Sequence, residues 1–164
     1  VAEAMLGQIE RLDSHTNGFC LVDRETSLGL ARESEQRYQK GEAQGLVDGV
    51  PVAVKDVFLT PMWPTIKGSY TVDPKSTLNK SAPATAALAR HGYVPIGKTT
   101  TPEFGWKGVT DNPVDGVTNN PWNPKKTAGG SSGGSGVAVA LGMAPLALGT
   151  DAGGSIRIPA GFAA

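Results

Sequence analysis

The first forty residues show two helical patterns with a short strand pattern between them. Apolar residues recur every three or four positions over residues 2–12, which predicts an amphipathic helix that ends in the polar stretch after it. The run FCLVD at 19–23 predicts a strand. A second helix is predicted over residues 25–40, because its acidic residues come early and its basic residues late, as the helix dipole favours, and Gly41 follows. We expect the charges of this half on a solvated face.

The most apolar segment of the first half lies within residues 49–59. It contains VPVAVKDVF, whose valine content predicts a mostly buried strand. Lys55 therefore lies in apolar surroundings, where burial lowers the pKa of an amine by up to several units. Residues 60–82 are rich in Pro, Ser, Thr and Lys and predict a loop that folds toward Lys55.

A helix and a second strand follow this loop. Ser81 is predicted to cap the helix, with Pro83 in its first turn and Gly92 after its end. His91 is interpreted as a residue of the helix end, with no catalytic role. YVPIGKTT at 93–100 predicts a strand parallel to the earlier one, since strand, helix and strand in succession are typical of an α/β unit.

Residues 101–126 predict a long loop, and loops of this length tend to be functional. Two tryptophans lie in it, Trp106 and Trp122. They either line a substrate pocket or attach the loop to the body of the protein, and the sequence leaves both interpretations open.

The last part of the chain, residues 128–164, carries two clusters of glycine and serine on either side of an apolar helix pattern and a strand-like PLALGT. A flexible linker does not fit, because VAVALGMAPLALG is too apolar to remain solvated. A phosphate-binding loop does not fit either, because no Lys followed by Ser or Thr stands at the P-loop position of the glycine cluster and the dinucleotide spacing is broken. We expect the helix at about 132–141 to be central and buried, and serines in the flanking turns to present their hydroxyls without a bulky neighbour in the way.

Composition narrows the class of protein. The chain has 164 residues, which is ordinarily one domain, and its 15 basic and 15 acidic residues cancel. We therefore expect neither a nucleic-acid nor a membrane partner. Cys20 is the single cysteine, which excludes a disulfide framework, and no signal-like apolar segment begins the chain, so we expect a cytoplasmic protein.

Three segments carry a family resemblance. GGSSGGSG at 129–136, GMAPLALGTDAGGSIRIPA at 142–160 and GVPVAVKDVF at 49–58 resemble the motifs of the amidase signature family, and the similarity extends over nearly the whole chain. The resemblance implies an α/β fold with a mixed sheet layered between helices. It also implies that residues 1–164 are the N-terminal portion of an amidase signature domain, with the fold incomplete in this chain.

The resemblance also implies a catalytic machinery. A serine needs an adjacent base, and neither of the two histidines is suitably placed, which leaves a lysine. In the family's pattern Ser155 is the acylated nucleophile, Ser131 the bridging hydroxyl and Lys55 the base. The Gly130–Ser131 peptide is expected to be cis. The oxyanion hole is expected to consist of backbone N–H groups of the second glycine cluster, those of Ala152, Gly153, Gly154 and Ser155.

Three functions remain open at this stage. The first is a hydrolase that cleaves carboxylic amides through a seryl acyl-enzyme, acting on a small-molecule amide without cofactor or metal, with a homodimer as one option for its assembly. The second is the glutamine-hydrolysing amidase subunit of an amidotransferase complex, although Val57 after Lys55 and Asp56 resembles the general amidases more than that subunit's usual asparagine. The third is an inactive fragment. Thr150, Asp151 and Arg157 are expected to hold the turns together.

Overall fold

The computed structural model describes all 164 residues. Five helices and six strands make up the fold. The helices are α1 (Ala2–Thr16), α2 (Arg24–Lys40), α3 (Pro83–Arg90), α4 (Gly133–Ala140) and α5 (Arg157–Ala163). The strands are β1 (Phe19–Leu21), β2 (Pro51–Lys55), β3 (Val94–Thr99), β4 (Asp111–Asn112), β5 (Gly116–Val117) and β6 (Leu146–Leu148).

Four strands form the central sheet in the order β1-β3-β2-β6. Strand β2 pairs in parallel with β3 on one side and with β6 on the other, whereas β1 is antiparallel to β3. The sheet is therefore mixed, and the predicted α/β class is confirmed. The remaining two strands form a small antiparallel pair inside the long loop 101–126.

Helices cover both faces of the sheet. Successive side chains of β2 point to opposite faces and therefore pack into two different clusters. Ala53 packs in the main core, which α1 and α4 contribute to. Val52 and Val54 pack on the other face with Tyr93 and with Leu88 of α3. All five residues of β2 are buried, including Lys55 at its carboxyl end. A central strand buried on both faces explains the continuous apolar run in the sequence.

Helix α4 packs close to the sheet, as predicted for residues 132–141. Its small residues permit this approach, and Val137 and Ala138 are completely buried, while Val139 on the outer side is exposed. Gly134 makes the closest approach. A Cβ at this position would lie 2.5 Å from Thr100 N and closer still to Gly18 O, so only glycine fits.

Two predicted helix boundaries need correction. Helix α1 continues to Thr16 rather than ending at residue 12, and Asn17 ends it in the left-handed conformation while the Asp13 carboxylate accepts the next two N–H groups. The prediction that Ser81 caps α3 is wrong. The N-cap is Ala82, which has no side-chain cap, although Pro83 does occupy the first turn. None of the helices combines the length and apolar character needed to cross a membrane.

Candidate active site

Lys55 lies at the carboxyl end of β2, completely buried, with three hydroxyl groups around its amine. Its Nζ is 2.6 Å from Ser131 Oγ, 3.0 Å from Ser132 Oγ and 2.8 Å from Thr150 Oγ1. The two serines directly precede α4, and the threonine follows β6. The three hydroxyls meet at Lys55 because β2 is the strand next to β6 and lies beneath α4.

This environment changes the protonation of Lys55. Burial lowers its pKa from 10.5 to about 8, while the negative charge of Asp151 acts in the opposite direction. An ammonium group can donate to all three hydroxyls. A neutral amine donates hydrogen bonds to two hydroxyls and accepts a hydrogen bond from the third through its lone pair. The contact with Ser131 Oγ is the shortest of the three, at 2.6 Å.

Ser131 and Ser132 do not act as ordinary helix caps. Ser132 is the N-cap of α4 but its side chain makes no cap hydrogen bond. Its Oγ accepts from Thr150 N at 3.2 Å and donates to Thr150 O at 3.3 Å. The single hydrogen bond of Ser131 Oγ is the one to Lys55. The expected cis peptide between Gly130 and Ser131 is present.

Ser155 lies in the turn between β6 and α5. The turn is fixed to the start of α4, because Ser132 N donates to Ser155 O at 3.1 Å. No hydrogen bond in the structure involves Ser155 Oγ, and none joins it to Ser131. Ser155, the nucleophile expected from the sequence, is therefore joined to Ser132 of the Lys55 cluster by a backbone hydrogen bond, and its hydroxyl makes no hydrogen bond.

The backbone N–H groups of this turn are not equivalent. Those of Ala152, Gly153 and Ser155 have no acceptor within the chain. Gly154 N instead donates to Asp151 Oδ1 at 2.7 Å, so this member of the expected oxyanion hole is occupied. The free groups are candidates for binding an oxygen with developing negative charge.

The loop 101–126 approaches Ser131 at Gly105. A Cβ at Gly105 would lie 3.5 Å from Ser131 Oγ, so the backbone of this turn lies next to the Ser131 hydroxyl. The preceding residue, Phe104, has a left-handed backbone with φ 53° and donates its N–H to Lys67 O at 2.9 Å. The loop 60–82 thus folds toward the site, as expected, and supports the turn over Ser131.

A buried ion pair that the sequence did not reveal fixes the loop 60–82. Lys98 Nζ lies 3.0 Å from Asp56 Oδ1 and also donates to Phe58 O and Thr65 Oγ1. Asp56 Oδ2 accepts the N–H groups of the 66–67 backbone. Burial raises the pKa of Asp56 and lowers that of Lys98, and each opposite charge counteracts the change. The sequence shows only that an acidic residue stands at position 56 and a basic residue at position 98, which does not indicate that the two form an ion pair.

The two tryptophans of the long loop behave differently. Trp122 Nε1 donates to Ala163 O at 2.9 Å and so attaches the loop to the end of α5. Trp106 is 89% exposed and makes no such contact. The interpretation as an attachment is confirmed for Trp122, and Trp106 lies at the surface.

An apolar cleft of about 330 Å³ adjoins the site. It lies between α4, β6 and α5, and Ser132 and Ser135 are polar residues of its lining. The exposed apolar side chains of Val139 and Ile156 are part of its lining. The structure groups no three His, Cys, Asp or Glu side chains in a way that could hold a metal ion.

The fold and the Lys–Ser cluster together define a class. The chain belongs to the amidase family, whose family model matches it over residues 1–164. It is 43% identical over 160 residues to a glutamyl-tRNA(Gln) amidotransferase subunit from Streptomyces coelicolor, and 45% identical over 150 residues to the corresponding subunit from Cupriavidus metallidurans. These alignments cover 98% and 89% of this chain but 32% and 29% of the relatives, so the chain spans about a third of their length.

Solved structures give the same family. The chain superposes on an amidase with a TM-score of 0.91 and 37% identity, covering 98% of this chain and 36% of the amidase. A bacterial aryl acylamidase of the amidase signature family gives a TM-score of 0.90 and 34% identity, with 97% of this chain and 33% of the acylamidase covered. A 6-aminohexanoate cyclic dimer hydrolase gives 0.81 and 34%, with 98% and 32% covered.

Proposed function

We propose that the protein hydrolyses carboxylic amides through an acyl-enzyme on Ser155, with Ser131 as the bridging hydroxyl and Lys55 as the base. The observation that carries the proposal is the buried Lys55 amine, 2.6 Å from Ser131 Oγ. A lysine with a pKa of about 8 is partly neutral near physiological pH and can accept a proton there. A serine hydroxyl becomes an effective nucleophile only when such a base takes its proton.

The proposed steps conserve protons. Lys55 takes the proton of Ser131, which takes that of Ser155 as Ser155 Oγ attacks the amide carbonyl carbon. The C–N bond then breaks, and the proton returns along the same path to the leaving nitrogen, releasing ammonia or an amine. Water repeats the sequence on the ester and releases the carboxylate. Only the side chains and water take part in these steps.

Backbone donors stabilise the tetrahedral oxyanion in this proposal. The N–H groups of Ala152, Gly153 and Ser155 are the best supported, since they have no other acceptor. Gly154 supports the turn through Asp151 rather than donating to the oxyanion. Each donor of this kind contributes about 3 kcal/mol to transition-state stabilisation in comparable sites.

The names of the relatives favour one setting for this chemistry. At 43–45% identity, the amidotransferase relatives support a role as the glutamine-hydrolysing amidase subunit of an amidotransferase, with ammonia as the product passed to a partner. This reverses the order of the two enzymatic functions expected from the sequence. A second candidate, an independently acting amidase, is favoured by Val57, which stands where the subunit usually has asparagine.

The test uses the protein at its full natural length. Ammonia release is measured from glutamine, with and without the other subunits of an amidotransferase, and from a panel of simple aliphatic and aryl amides. Partner-dependent release from glutamine supports the role in an amidotransferase, and release from simple amides without a partner supports the independent amidase. Ser155→Ala should abolish release in either case, whereas Ser76→Ala, which changes an exposed surface serine, should leave it unchanged. A wild-type protein that releases ammonia from none of these amides contradicts the proposal.

A further inference from the structure

The carboxylate of Asp151 accepts five hydrogen bonds in the turn that contains Ser155. Its oxygens accept three backbone N–H groups, from Gly154 at 2.7 Å and from Ile156 and Arg157 at 3.2 Å each. The Arg157 guanidinium adds a bidentate pair, with Nε at 2.9 Å and Nη2 at 2.8 Å. Five donors therefore converge on one side chain, and Ser155 lies between the residues that supply them.

This arrangement determines which N–H groups of the turn are left free. The carboxylate draws the N–H groups of Gly154 and Ile156 to one side of the backbone. Those of Gly153 and Ser155 have no acceptor in the chain and remain available. Asp151 therefore fixes the backbone on both sides of Ser155. We call residues 151–157 the nucleophile turn, and its geometry depends on these hydrogen bonds to Asp151.

Asp151 also acts on Lys55 through its charge. Hydrogen bonds from Arg157 hold the pKa of Asp151 well below its usual range, so the carboxylate is ionised. Asp151 directly follows Thr150, whose Oγ1 lies 2.8 Å from Lys55 Nζ, and its negative charge favours the protonated form of Lys55. The other charged pair next to Lys55, Asp56 with Lys98, is balanced internally at 3.0 Å. The electrostatic potential at the Lys55 amine therefore depends on Asp151 and on Arg157, whose positive charge offsets that of Asp151.

We propose that Asp151 and Arg157 are a positioning pair for the proposed reaction: Asp151 shapes the nucleophile turn, and Arg157 balances its charge so that the Lys55 amine remains available as a base. Neither residue takes a proton from the substrate or contacts the reacting atoms. The inference rests on the proposed amide hydrolysis and adds two residues to it. Their ion pair is partly open to solvent, with Arg157 76% and Asp151 16% exposed, so the electrostatic part should weaken as salt is added.

The experiment compares the two halves of the pair at full natural length. Asp151→Asn and Arg157→Gln both break the same ion pair, but they change the charge near Lys55 in opposite directions. The readout is the pH below which kcat/KM falls, measured on whichever amide the wild type hydrolyses. We expect this pH to move down in Asp151→Asn and up in Arg157→Gln, each by roughly half a unit to one unit at low salt.

Two further measurements separate charge from shape. The double variant Asp151→Asn/Arg157→Gln removes both charges, so its pH profile should return near that of the wild type while kcat stays about tenfold or more below it, because the turn is still misplaced. Arg24→Gln is the matched control. It breaks the exposed 3.1 Å ion pair that Arg24 of α2 makes with Glu10 of α1, and it should move neither kcat nor the profile.

Each outcome bears on the inference. Shifts in the same direction for both single variants, or a lowered melting temperature with an unmoved profile, would overturn the positioning pair. If Asp151→Asn is too slow for a profile, Arg157→Gln decides alone, and an unmoved pH of half-maximal kcat/KM overturns the inference. A wild type without amide hydrolysis refutes the proposed function instead, so the two failures are distinguishable.

Discussion

Replacing Gly134 with alanine introduces a methyl group into α4 where the structure has no free volume. The new Cβ would lie 2.5 Å from Thr100 N and closer to Gly18 O, which are themselves joined by a 3.0 Å hydrogen bond. Backbone atoms cannot rotate away as a flexible side chain would. The helix must therefore move outward by roughly 1 Å or the hydrogen bond between the two residues must break.

The size of the effect follows from opposing contributions. Overpacking a dense core costs about 1–3 kcal/mol, occasionally more, and loss of the Thr100–Gly18 hydrogen bond adds about 1 kcal/mol. The greater helix propensity of alanine returns about 1 kcal/mol. We expect Gly134→Ala to lower the free energy of unfolding by about 2 kcal/mol. Because Ser131 and Ser132 immediately precede the same helix, a displacement of roughly 1 Å should also reduce kcat about 10- to 100-fold.

Urea denaturation, followed by circular dichroism, measures the loss of stability, and ammonia release measures the loss of activity. Gly7→Ala in the middle of α1 is the matched control, because a Cβ there meets nothing within 4 Å. This control should gain about 0.5–1 kcal/mol from helix propensity alone. If Gly134→Ala is as stable and as active as Gly7→Ala, the close packing of α4 against the sheet is refuted.

Buried groups give three other predictions. The pKa of Lys55 is about 8 in the folded state and 10.5 in the unfolded state, so the folded state binds the proton less tightly. The free energy of unfolding should therefore rise by about 3 kcal/mol between pH 8 and 10.5. Lys55→Met should flatten this rise when denaturation is measured as a function of pH. Ala138→Phe should overpack α4 by roughly 1–3 kcal/mol, and an unchanged melting temperature would contradict its burial. Lys98→Met should destabilise by about 3–5 kcal/mol because Asp56 is left charged and buried; addition of Asp56→Asn should then cost less than it does in the wild type, and strictly additive losses in a double-mutant cycle would argue against the pair.

The sequence predicted the elements around the site because their patterns are strong. A valine-rich run buried on both faces identifies β2, and the apolar small-residue pattern identifies α4. Lys55, Ser131 and Ser155 were predicted as site residues from motifs that resemble those of the amidase signature family, and the structure brings Lys55 to Ser131 at hydrogen-bonding distance.

The parts that the sequence did not predict depend on three-dimensional register. Nothing in the chain indicates that Thr150 and Ser132 join Ser131 around Lys55, because this requires β6 to pair with β2. The Asp56–Lys98 pair requires the register between β2 and β3. A helix start is equally ambiguous: Ser81 has the right chemistry for a cap, but Ala82 takes the position.

The long separations between Lys55 and its hydroxyl partners have a consequence for synthesis of the protein. Ser131 and Thr150 follow it by 76 and 95 residues, and β6 emerges after the three other strands of this sheet. A nascent chain thus exposes the lysine long before any serine is positioned beside it, and parallel pairing over such distances forms late. During refolding, a serine-reactive fluorophosphonate should label Ser155 only after the sheet signal is complete, and earlier labelling would contradict this order. If Ser155 is the nucleophile as proposed, the Lys55 site is therefore not assembled until β6 has paired with β2.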